Sequence, residues 1–88
     1  MTQTLESQWG REPLTVDATV PTVALNSILG WTHVGTSDAD VEADVRERLA
    51  KVDDGRWTPA LVEQTVAAAL WIHAENRALY VAVTSGRI

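Results

Sequence analysis

The side chains able to do chemistry in this chain are few and scattered. Its two histidines, His33 and His73, sit in different local contexts, and a zinc site needs three or four ligands. His73 and Glu75 are two residues apart, which on a helix turns them to different sides. With no cysteine in the sequence, thiolate ligation and disulfides are excluded. His73 shares a helical face with Asn76 or Arg77 instead. It reads as part of a hydrogen-bonded polar cluster that sets the register of a helix against its partner. Ser27, Ser37 and Ser85 have no G-x-S-x-G context, no base and acid are arranged around them, and no glycine-rich phosphate loop is present. The adjacent acids Asp53 and Asp54 read as a solvated helix end. The expectation is a protein that is not an enzyme, with no catalytic residues, no metal and no cofactor, entering catalysis at most as an accessory subunit.

The bulk properties narrow the class further. Eighty-eight residues make one small domain, which buries only roughly 60–65 % of its unfolded-chain surface and usually needs a staple. Without disulfides or a metal, the expected staple is an oligomeric or partner interface. The net charge is −5, and the basic residues Arg11, Arg46, Arg48, Lys51, Arg56, Arg77 and Arg87 are dispersed. Nucleic-acid modules usually cluster such residues into a patch, so direct nucleic-acid binding is not expected. No stretch has the form of a secretion signal, and no apolar run reaches the ~20 residues of a membrane span. Synthesis in the cytoplasm, without membrane association, is the expectation.

The elements that must position any functional surface follow from the pattern. Residues 1–21 read as an N-terminal arm or strand. Leu14, Val16, Ala18 and Val20 alternate with polar residues as in a half-buried strand, which Pro21 ends. Its expected partner is the β-leaning stretch from Tyr80 to Val83, or another chain. Residues 22–88 read as a small helical domain. Thr22 is placed to cap a short helix whose inner face is Leu25, Ile28 and Leu29, with Gly30 as a left-handed stop. Ser37 and Asp40 form a near capping box opening an acidic amphipathic helix. Val41, Val45, Leu49 and Val52 make its narrow apolar stripe, and Glu42–Arg46, Asp44–Arg48 and Glu47–Lys51 its i,i+4 pairs. Residues 38–54 hold seven acids against three bases, so the exposed face bearing Asp38, Asp40, Asp44 and Glu47 reads first as a solvated helix face and alternatively as one that meets a basic partner.

Thr58 and Pro59 announce the last helix, as N-cap and first helical residue. It extends to about Tyr80 and as far as Ser85, with Leu79, Tyr80, Val81 and Val83 favouring either strand or a fraying helix end. Between Gln64 and Gly86 its only charges are Glu75 and Arg77. A helix apolar on nearly every side must be buried on nearly every side, and a chain this short has little with which to cover it. The fold class is therefore mainly α, a small helical domain with a long apolar C-terminal helix, an acidic amphipathic helix and an extended N-terminal arm. The expected interface comprises Leu61, Val62, Val66, Ala69, Trp71, Ile72, His73 and Asn76. Trp9 either joins it as an aromatic anchor on the arm or folds back on this chain's own core. The sequence has four tryptophans and no phenylalanine, which suits a protein that keeps aromatics for its contacts.

The stretch from Pro59 to Arg77 resembles the main helix of the head–tail connector (adaptor) proteins of tailed phages. The matching positions are Val62, Gln64 and Val66, followed by Glu75, Asn76 and Arg77. An acidic helix like that of residues 37–52 precedes the main helix in that family too. The resemblance implies a ring subunit between portal and tail-completion proteins, its helix packed laterally on its neighbours and its arms reaching the next layer. Its place would be the virion and its partners other protein chains, as a homo-oligomer or larger assembly. The family's β-hairpin and closing segment after the main helix have no counterpart here. Leu79–Tyr80 and Ser85-Gly86-Arg87-Ile88 are also similar to the end of a small helix-turn-helix in excisionase-like regulators, although no turn residue lies between Ala67 and Ala78. The alternative function is a small acidic inhibitor, antitoxin-like or transcription-regulating, that binds a basic protein through Asp38–Asp54.

Overall fold

The computed structural model of the chain describes residues 1–52 and 55–86. Two strands and three helices follow one another as β1 (Thr2–Leu5), β2 (Leu14–Asp17), α1 (Thr22–Gly30), α2 (Asp38–Ala50) and α3 (Pro59–Thr84). The result is a small, mainly helical domain with a two-stranded sheet. At 26 residues, α3 is about 39 Å long. The hairpin strand β2, α1 and α2 all pack on it.

Local chemistry explains where the helices begin. The Ser37 hydroxyl accepts from the Asp40 N–H (3.2 Å) and Asp38 and Asp40 occupy the first turn of α2. The Thr58 hydroxyl accepts from the Leu61 N–H (3.2 Å) and Pro59 opens α3. Each cap satisfies a backbone donor that the first helical turn leaves unpaired. The apolar positions of all three helices and of β2 then meet in one core: Val16, Val20, Leu25, Leu29, Val41, Val45, Leu61, Val66, Ala68, Ala69 and Ile72. Ala68 and Ala69 are completely buried. Their small side chains let the other elements approach α3 closely.

Several expectations need correction. First, β2 pairs antiparallel with β1, in the register Thr2↔Asp17 to Leu5↔Leu14. The alternation of Leu14 to Val20 was legible, but its partner, Thr2–Leu5, carries one strongly apolar residue and shows no matching signal. Second, of the two readings for residues 80–83, strand or helix end, the helix forms: they belong to α3, so they do not pair with β2. Third, residues 1–21, read as an arm or strand, take the strand alternative, and the hairpin and the loop that closes it are fastened to α3. Fourth, Gly30 does not provide a left-handed stop. It is the last residue of α1, and positive φ among the glycines occurs at Gly10, Gly55 and Gly86. Thr22 is the first residue of α1, whose N-cap is Pro21 with no side-chain cap bond. The expected end of the acidic helix at Asp53 and Asp54 lies outside the described residues, as does the Arg87–Ile88 end of the regulator-like tail.

Candidate docking surface

The polar side chains along α3 hold this chain's own segments in place. Gln64 Oε1 accepts from the Asp17 N–H at 2.6 Å, fixing the end of β2. His73 is completely buried, and its Nε2 donates to the Thr36 carbonyl at 2.8 Å. A carbonyl only accepts, so the ring proton is on Nε2, and the buried Nδ1 has no partner among the described residues. Arg77 donates through Nε to the Val34 carbonyl (3.1 Å) and through Nη2 to Thr36 (3.3 Å). Asn76 reaches the Leu29 carbonyl at 3.4 Å. Glu75 holds the other side: Oε1 accepts from Ser7 Oγ (3.0 Å) and the Gln8 N–H (2.8 Å), while Oε2 pairs with Arg11 (2.8 Å). Arg11 also lies 5.0 Å over the Trp71 ring, and Trp71 Nε1 donates to the Glu12 carbonyl at 2.9 Å. Successive helix residues turn by about 100°, so Glu75, Asn76 and Arg77 point three ways and tie down three segments.

These contacts relocate most of the expected interface. Leu61, Val66, Ala69, Ile72 and His73 are buried by this chain's own elements. Val62, Trp71 and Asn76 are half-buried, and Trp9 is half-buried beside Trp71 and Ile72 at one groove on α3. The middle of α3 needs no second chain to cover it, because the hairpin, α1 and α2 do so. The polar cluster at His73 forms as expected from its spacing, but it grips the α1–α2 loop of the same chain.

On the acidic face, Asp38, Asp40, Asp44 and Glu47 are exposed. Asp44 pairs with Arg48 at 3.0 Å, Glu47 with Lys51 at 3.3 Å, and Asp38 lies 3.7 Å from Arg77. Arg46 bridges Glu42 and Glu63, both at 2.9 Å. Hydrogen bonding to Arg46 holds the Glu63 carboxyl below its ordinary value, and Glu63 and then Glu42 raise the Arg46 guanidinium still further. The Asp17 carboxyl is also lowered, chiefly by the Thr19 hydroxyl and then by the Thr19 N–H. Much of the α2 acidity is thus matched within the chain.

What remains uncovered is apolar and lies elsewhere. Trp31, just beyond α1, is 94 % exposed. On the last turns of α3, Tyr80 and Val83 are 55 % and 58 % exposed, with Leu79 and Val81 close behind. Leu79, Tyr80 and Val83 share one stripe, which with Leu29, Thr32 and Val34 borders a groove of about 380 Å³. A second groove, of about 260 Å³, runs between α1 and α2. Ala24, Ile28, Leu49 and Trp57 line it, and Arg48 and Arg56 stand at its rim.

No family model, curated protein or solved structure matches this chain. Among the described residues, no cluster of three His, Cys, Asp or Glu side chains is placed to hold a metal, and no helix is long and apolar enough to cross a membrane. Among the described residues, one apolar surface lies at residues 79–83 of α3 and another between α1 and α2. The stripe at residues 79–83 was visible in the sequence as apolar residues beyond Arg77. Its exposure was not, because the last turns are covered on one side only: Ala82 is completely buried, while Leu79, Tyr80, Val81 and Val83 stay exposed.

Proposed function

We propose that this chain is a non-enzymatic assembly subunit that acts through protein–protein contacts, and most specifically a ring subunit of a tailed-phage head–tail connector. The observation that carries the reading is the exposed stripe Leu79, Tyr80 and Val83 on a helix anchored by its middle in the core. A contiguous apolar surface that the fold leaves open marks a contact site more often than a solvated face. The connector version adds the resemblance of the Pro59–Arg77 helix. Its Glu-Asn-Arg positions secure the loops that shape the subunit, which suits a rigid building block. The internal pairing of Asp38, Asp44 and Glu47 weighs against the alternative, an acidic inhibitor of a basic protein.

Native mass spectrometry over a range of protein concentrations tests the proposal. A closed ring of many copies is the expected species. A monomer at every concentration counts against self-assembly, and capture of a basic protein through Asp40 and Asp44 would favour the alternative.

A further inference from the structure

The chain has two histidines, and each is bonded to the loop of residues 31–37 that joins α1 to α2. His33 Nδ1 accepts from the Gly35 N–H at 2.9 Å. His73, on α3, donates through Nε2 to the Thr36 carbonyl at 2.8 Å. Arg77 grips the same loop at the Val34 and Thr36 carbonyls. Thr32 and Val34 of this loop line the groove beside Leu79, Tyr80 and Val83.

Neither ring takes a second proton without opposing this arrangement. A proton on His33 Nδ1 removes the acceptor of the Gly35 N–H. A second proton on His73 must go to Nδ1, which is buried with no partner among the described residues. A buried charge without a counter-charge or hydrogen bond is strongly unfavourable. The elements around His73 do not supply one. α1 contains no ionisable residue. At the start of α2, Asp38 and Asp40 are exposed, and Asp38 pairs with Arg77 at 3.7 Å. On α3, Arg77 donates to the same Thr36 carbonyl as His73, which would set two cations side by side. Glu75 is turned toward the hairpin loop, where Arg11 pairs with it. Among the described residues no carboxylate pairs with either imidazole.

We propose that the α1–α2 loop is an acid-released latch: proton uptake by His73, with His33 acting in the same direction, frees residues 31–37 from α3 while the rest of the fold stays intact. The contact is complete while the rings are neutral. It is lost as pH falls through the range in which histidine ordinarily charges, from about pH 8 to 5. Release takes Thr32 and Val34 out of the groove wall, so the apolar surface at the end of α3 changes shape with pH. The latch goes beyond the assembly reading and stands without it.

Nuclear magnetic resonance of the wild-type protein tests this, because the Arg77 Nε–H bond to Val34 reports the latch directly. At pH 7.5 its signal should stand apart from those of exposed arginines, and at pH 5.5 it should join them. The amides of Ala68 and Ala69, in the core, should keep their exchange protection. An Arg77 signal that holds its place at pH 5.5 overturns the proposal. So does simultaneous loss of protection at Ala68 and Ala69, which is unfolding of the whole domain. His73→Gln keeps a donor for the Thr36 carbonyl and binds no proton, so its Arg77 signal should be the same at the two pH values. A pH response that survives in this variant overturns the role of His73. Should the variant not fold, the ring nitrogens of wild-type His73 decide: their signals must change together with that of Arg77, and a ring that charges while the Arg77 contact persists overturns the latch.

Discussion

Glu75 joins α3 to Ser7, Gln8 and Arg11 across more than sixty residues of chain, the longest loops closed by a side chain among the described residues. Its carboxylate is only 17 % exposed and receives two neutral donors and one guanidinium. Bonds to a charged group in such a setting are worth more than surface ion pairs. Glu75→Ala should therefore cost about 1–3 kcal/mol in urea unfolding, and trypsin should cut after Arg11 faster than in the parent protein. Equal cleavage rates would mean that the loop is held by Trp71 and the hairpin alone. Asp17 and Glu63 have a different consequence. Both carboxyls are lowered in the folded chain, so the stability they add is present above their unfolded pKa values and is lost as pH falls through the folded ones. Stability should decline below about pH 4.5, and Asp17→Asn with Glu63→Gln should flatten that decline in denaturation curves taken between pH 3 and 6.

At the level of elements, Val66 separates folding from assembly. It is 4 % exposed in the core, so Val66→Asp buries an unpaired charge and should unfold the monomer, seen as loss of the circular dichroism signal, rather than disperse an intact one. The elements differed in how far the sequence revealed them. α2 and α3 were readable because caps, dipole-matched acids and i,i+4 pairs are local. The Ser37 and Thr58 caps and the three acid–base pairs along α2 all form where their spacing put them. β1 was not readable, because Thr2–Leu5 owes its strand to backbone pairing with β2 and to Gln3, whose Nε2 donates to the Asp17 and Val20 carbonyls. The docking surface was hidden for a similar reason. Apolar residues at 66 and at 83 look alike in a sequence, and only the reach of α1 and the hairpin along α3 decides which of them is covered.

At the level of the whole molecule, every other packed element depends on α3. Hairpin strand β2, α1 and α2 each pack on it, and α1, at nine residues with no side-chain cap, is too short to be stable alone. A polypeptide ending at Trp57 should therefore lack helical signal in circular dichroism, whereas two autonomous halves would each retain it. The order of the elements along the chain then matters for how a cell makes the protein. Synthesis runs from the N-terminus at about 5–20 residues per second. The hairpin, α1 and α2 thus leave the ribosome before the helix on which they pack has been built. For those seconds Val16, Leu25, Leu29, Val41 and Val45 have no core to enter. Each nascent chain is a temporary client for whatever shields apolar segments at the tunnel exit, and the native state arrives in one late step when α3 emerges.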